Sequence, residues 1–235
     1  MTVTVNATAT AAVDGAAVAT ISSTNLTVAS GATSLLTWLI LGSYSLATLP
    51  TGITVQWDSA GTPQTMTSLG NVVNTATGFF FQAYLYGLLS PTIGNKTMKA
   101  TWTTSCLVAM DMIAFAGTAT DTLAHCFLNF NSATGTSTSA TVTGTSAVGN
   151  INIAAVASNA ANTSLSATGS TSVFADNNQL GSAGARATGA SSVAWTGATA
   201  TSGQWAIICV DVAVPFVASS YTPLWRPPQI QIWDH

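Results

Sequence analysis

Hydrophobic and polar residues along this 235-residue chain recur with a period of two, and helical periodicity is hard to find anywhere. Residues 204–215, QWAIICVDVAVP, alternate most cleanly, with Ala206, Ile208, Val210, Val212 and Val214 on one face. The opposite face, with Trp205, Ile207, Cys209 and Asp211, is too apolar to be plainly solvated. Residues 106–116, CLVAMDMIAFA, show the same property more strongly and predict a central strand. One face carries Cys106, Val108, Met110, Met112 and Ala114; the other carries Leu107, Ala109, Asp111, Ile113 and Phe115. The flanks are rich in β-branched residues and poor in helix caps. A sheet with one wet face alternates apolar and polar, so two apolar faces require a second cover. A neighbouring subunit is the expected source, with Asp111 and Asp211 placed at that interface as hydrogen-bond acceptors.

The remaining pattern supplies further strands. Residues 34–41 (SLLTWLIL) and 151–158 (INIAAVAS) read as buried strands, and 79–88 (FFFQAYLYGL) as an aromatic one. Residues 53–57 (ITVQW) lead through the Asp58-Ser59-Ala60-Gly61 turn into 64–69. Shorter strands are expected over 95–103, 123–130, 139–145 and 191–196. Residues 131–138 form a low-complexity stretch, and 164–185 short strands with long loops. About ten to twelve strands at this spacing imply an all-β fold, a jelly-roll-type β-sandwich. Residues 1–24 are assigned to an N-terminal arm or edge strands, 25–214 to the sandwich and 215–235 to an extended C-terminal tail.

That tail changes character. Residues 219–235, SSYTPLWRPPQIQIWDH, combine Pro223, Pro227 and Pro228 with Tyr221, Trp225, Arg226 and Trp233. Proline keeps such a segment extended, and fully stretched it reaches roughly 55 Å. Large aromatics on an extended arm seek pockets. Tyr221, Trp225, Arg226 and Trp233 are the expected anchors, on the chain's own sandwich or in a neighbouring subunit.

Composition narrows the functions. Only 5% of residues are charged, none is glutamate, and the formal net charge is −3. Four scattered cations cannot form the basic stripe that phosphate backbones require, so nucleic acid is excluded as a partner. No apolar run reaches the ~18 residues of a membrane helix, and the N-terminus lacks the basic and apolar regions of a secretory signal. Three cysteines, all in strand-like contexts, read as buried thiols.

Catalytic candidates are few. His125, with Asp121 four residues away and Cys126 adjacent, is the one set resembling a nucleophile and its base, but no nucleophile-elbow motif accompanies it. His125 reads instead as a strand residue making ordinary hydrogen bonds. His125-Cys126 lacks zinc-ligand spacing, and no dense Asp/Asn run marks a calcium loop. No cofactor is expected, and the chain is not expected to be an enzyme. Trp57, Tyr84, Tyr86 and Trp102 are candidates for stacking on sugars, weighed against a place in the core.

The order ITVQW…GTPQTMTSLG, FFFQAYLYGLLSPTIGNKTMKATWT, MIAFAG, NINIAAVAS, SSVAWTG and QWAIICVDV resembles Thr/Ser/Gly-rich jelly-roll domains of tailed-bacteriophage virion structural proteins. The resemblance covers roughly residues 25–214 as a pattern of strands and turns, without a chemical fingerprint. It implies a capsid decoration or head/tail accessory subunit, made in the host cytoplasm without a signal peptide. Its partners would be other capsid or tail proteins and copies of itself. The alternative is a glycan- or receptor-binding module of a fibre or bacterial surface protein.

Overall fold

The computed structural model describes residues 2–43, 49–75, 78–159, 163–177 and 180–215. The tail residues Tyr221, Trp225, Arg226 and Trp233 lie outside them. Seven strands form the first sheet: β1 (Thr4–Val28), β2 (Ser34–Ser43), β3 (Thr54–Trp57), β4 (Gln64–Thr65), β5 (Thr67–Asn74), β6 (Phe80–Leu89) and β7 (Gly94–Ala116). A short helix, α1 (Leu123–Cys126), then leads to the six strands of the second. These are β8 (Phe127–Gly144), β9 (Ile151–Ser158), β10 (Ser164–Ser166), β11 (Thr171–Asn177), β12 (Gly181–Thr188) and β13 (Val193–Val212). Every strand pair is antiparallel.

The all-β sandwich expected from the alternation is present, but its winding is not that of a jelly roll. Jelly rolls pass strands between their two sheets in Greek keys. Here the first sheet uses only residues before α1 and the second only residues after it. The chain therefore crosses between sheets once.

The main core lies between the sheets. Leu36, Trp38, Phe81, Leu85, Ile113 and Phe115 meet Ile151, Ile153, Phe174, Ile208, Val210 and Val212 there. Glycines admit the largest rings. A Cβ on Gly87 would stand 2.8 Å from Phe127, and one on Gly70 would stand 2.7 Å from Phe130.

The second apolar faces are covered from within the chain, which corrects the expectation of a neighbour. β1 and β7 make one long ribbon whose pairing is interrupted between Val18 and Thr20 and between Thr101 and Cys106. Beyond that break Ile21, Leu26 and Val28 of β1 and Met98, Ala100 and Trp102 of β7 join Val55 and Trp57 of β3. Together they pack onto Leu35, Leu39, Val108, Met110 and Met112 of the sheet. The second sheet repeats the device. Ala140, Val142, Leu165, Val193 and Trp195 cover Ala154, Val156, Ala185, Ile207 and Cys209. Three apolar layers result, stacked across the molecule.

Several local expectations change accordingly. The 123–130 stretch begins as helix because Thr122 caps it, its side chain accepting from the His125 backbone N–H. The 131–138 stretch is strand, the middle of β8. Segments 191–196 and 204–215 belong to one bent strand, β13, and 95–103 is continuous with the central strand in β7.

Candidate functional site

Side chains with chemistry gather at one end of the sandwich, where α1, the 145–150 loop and residues 213–215 meet. Backbone hydrogen bonds fix this junction: Ala119 N–H donates to Ala213 C=O at 2.9 Å and Ala213 N–H to Cys126 C=O at 2.8 Å. An open groove of about 1060 Å³ runs along it, with Leu128, Ala147, Ala213, Val214 and Pro215 on its walls. Thr120, Asp121, His125 and Asn150 supply its polar rim.

Asp121 and His125 pair through Oδ2 and Nδ1, one helical turn apart and both exposed. The hydrogen bond from His125 holds the Asp121 carboxyl below its usual range. Cys126, the nucleophile that would complete the set, is buried in the inter-sheet core. Burial pushes its thiol up, against hydrogen bonds from Ser34 and Thr118. A thiol held neutral and covered cannot serve His125 as a nucleophile. His125 itself is a helix residue, contrary to the strand expected.

Asp211 lies beneath the groove and is 1% exposed in the single chain, so it is not at an interface. It sits on the outer face of the second sheet, where Ser146 Oγ donates to Oδ1 and Asn150 Nδ2 donates to Oδ2 at 2.6 Å. Asn150 Oδ1 in turn accepts from Val214 N–H at 3.0 Å. The carboxylate thus pins the 145–150 loop to the end of β13. Burial raises its pKa, and the two hydrogen bonds oppose that shift. Asp111 is likewise 1% exposed, on the inner face of β7 opposite Trp38 of β2. Both aspartates expected at an interface are interior residues, because the folded-back ribbons and the opposing sheet close over them.

Two further features complete this end. Across the 145–150 loop lies a hollow of about 360 Å³ lined by Thr2, Gly149, Thr171, Arg186 and Thr188. Val148, at the tip of the loop between the two depressions, is 91% exposed. Sequence reasoning did not find the groove, since its lining comes from three separated segments, 120–128, 147–150 and 213–215. The Ser146–Asp211–Asn150 set was also missed, because Ser and Asn are too common here to mark a site.

Elsewhere the singled-out residues hold the fold together. Asp58, expected to form a turn, does so with φ of 53° and also pairs with Lys96 at 2.9 Å. The Lys96 hydrogen bond is the main cause of its lowered pKa. Trp57, Tyr86 and Trp102 are buried, and Tyr84 stacks on Tyr86 with centroids 6.0 Å apart. They do not form a platform for sugars. Among the described residues no group of three His, Cys, Asp or Glu side chains is placed to hold a metal. No helix among them is long and apolar enough to cross a membrane. Comparison with family models, with curated proteins and with solved structures finds no match to the chain.

Proposed function

We propose that this protein is a virion structural subunit, a capsid decoration or head/tail accessory protein that works through contacts with other virion proteins and with copies of itself. The observation that carries the reading is the apolar groove at the end of the body where Pro215 leads into residues 216–235. The body is closed on itself, so association falls to the groove and the arm rather than to its sheet faces. Tyr221, Trp225 and Trp233 give that arm large apolar anchors, and Arg226 adds a forked donor. Each aromatic anchor, if fully buried on a neighbour, contributes about 2–3 kcal/mol. A hydroxyl-rich surface with 5% charged residues suits a fixed assembly, where electrostatic repulsion between copies is small.

The test is a chain ending at Pro215. Its β-sheet circular dichroism and melting temperature should match the full chain, while oligomer formation or particle incorporation is lost. Unchanged association of the shortened chain would refute the assignment. The glycan-binding alternative has lost three of its four proposed stacking residues to the core.

A further inference from the structure

We infer that residues 4–116 and 127–212 are two copies of one folding unit, and that the inner sheet face of each unit is an association surface whose partner is a second copy of the same unit. The wiring of the two sheets agrees strand by strand. In the first, β7 pairs with β1 on one side and with β2 and β3 in succession on the other; β6 follows β2, and β5 closes the edge. In the second, β13 pairs with β8 on one side and with β9 and β10 on the other; β12 follows β9, and β11 closes the edge. Only the two-residue β4 has no counterpart.

Register carries the inference further than topology. In β7 pairing to β1 stops at Thr101 opposite Thr20 and resumes at Cys106 opposite Val18. In β13 pairing to β8 stops at Ala198 opposite Ser139 and resumes at Gly203 opposite Ser137. Both breaks set four residues of the last strand against one of the first. They lie 97 positions apart (Thr101 to Ala198, Cys106 to Gly203). The same 97 relates Phe115, opposite Ser34 at the start of β2, to Val212, opposite Ile151 at the start of β9. It also relates Thr101 opposite Thr54 to Ala198 opposite Ser164.

A second bulge repeats independently. β5 skips one residue between Ser68 and Gly70, opposite Tyr86 and Leu85. β11 skips one between Ser172 and Phe174, opposite Ala185 and Gly184, 99 positions on from Tyr86 and Leu85. That offset also takes Leu89, opposite Ser34, to Thr188, opposite Ile151. Bulges are local devices with no reason to recur at matching places in unrelated sheets. Identity has decayed: over 106–116 and 203–213 only Ala109/Ala206 and Ala116/Ala213 agree.

The units meet reciprocally along one edge. β1 of the first lies against β11 of the second, and β8, the counterpart of β1, lies against β5, the counterpart of β11; β13 lies against β5 and β6 in addition. The exchange of roles along that edge is the relation that a twofold axis gives in an isologous dimer. The inter-sheet core is then a dimer interface joined by one connector, 117–126.

The test cuts that connector. A specific protease site is inserted in the full chain between Thr120 and Asp121, both exposed, and cleaved in the folded protein. The fragments should remain together by native mass spectrometry, and unfolding should depend more steeply on protein concentration after cleavage than before it. Cleaved protein mixed with an isotope-labelled cleaved sample and cycled through denaturant should give hybrid pairs. Fragments that regain β-sheet signal only when covalently joined would overturn the inference. Hydrogen exchange in sub-denaturing urea on the unmodified chain is the independent arm. Strands β1–β7 should lose protection as one block and β8–β13 as another, whereas blocks mixing strands of both sheets would refute two units.

Discussion

At the scale of single residues, the Asp211 carboxyl is the clearest lever. Asp211→Ala leaves Ser146 Oγ–H and Asn150 Nδ2–H buried without their acceptor, and should cost about 2–4 kcal/mol in urea unfolding. Asp211→Asn should cost much less, because the Ser146 hydroxyl can turn to accept from the new amide. The pH dependence follows from burial, which makes the native state hold the Asp211 proton more tightly than the unfolded chain does. That contribution is complete below the ordinary carboxyl range and is lost as pH rises through the raised native value. Wild type should therefore lose stability relative to Asp211→Asn on going from acid towards neutral pH. Asp58 works in the opposite sense: Lys96 lowers its pKa, so its contribution is present at neutral pH and lost on acidification. The thiols give a third readout. Burial pushes Cys106 up to about 12 and Cys209 up to about 11. The three buried cysteines should resist alkylation in the folded protein near pH 8 and label together on unfolding.

At the scale of elements, the folded-back ribbons explain what was legible in the sequence and what was not. Strand character was plain wherever alternation was clean, as in 204–212, because a period of two is a local property. The two apolar faces of β7 and β13 were also plain. The identity of their cover was not, since Met98 reaches Met110 only through a bend marked by no proline. Thr and Ser fill the bends (Thr103, Thr104 and Ser105; Thr199, Thr201 and Ser202) and also run through the paired length of β8, so they do not mark a bend and β13 read as two strands. The functional end was illegible for a related reason. Asp211 was noticed, but the Ser146 and Asn150 that explain it lie more than sixty residues away in sequence.

The contact between ribbon and sheet is itself testable. Trp195 Nε1–H donates to Asn152 Oδ1 at 2.7 Å, and a Cβ on Gly144 would stand 2.5 Å from that same oxygen. Gly144→Ala should cost about 1–3 kcal/mol by overpacking, and Trp195→Phe about 1–3 kcal/mol by leaving a buried acceptor unmet. Both act through Asn152, so a double-mutant cycle by urea titration should show less than additive loss.

At the scale of the whole molecule, electrostatics contribute little. With net charge −3 and few ions to screen, assembly by aromatic anchors should persist at roughly 1 M salt, where exposed ion pairs are screened. Sedimentation of the full chain at low and high salt checks this, and dissociation at high salt would point to charged contacts instead. The single crossing between sheets has a further outcome, which belongs to synthesis rather than to the finished fold. A nascent chain can complete every pairing of its first sheet before any strand of the second has left the ribosome. At roughly 5–20 residues per second the rest follows on the order of 5–20 s later. Throughout that interval Leu36, Trp38, Phe81 and Phe115 face water. Yield in the cell is therefore governed by how well that greasy face is shielded while translation finishes, so slowing the ribosome should harm this protein more than it helps.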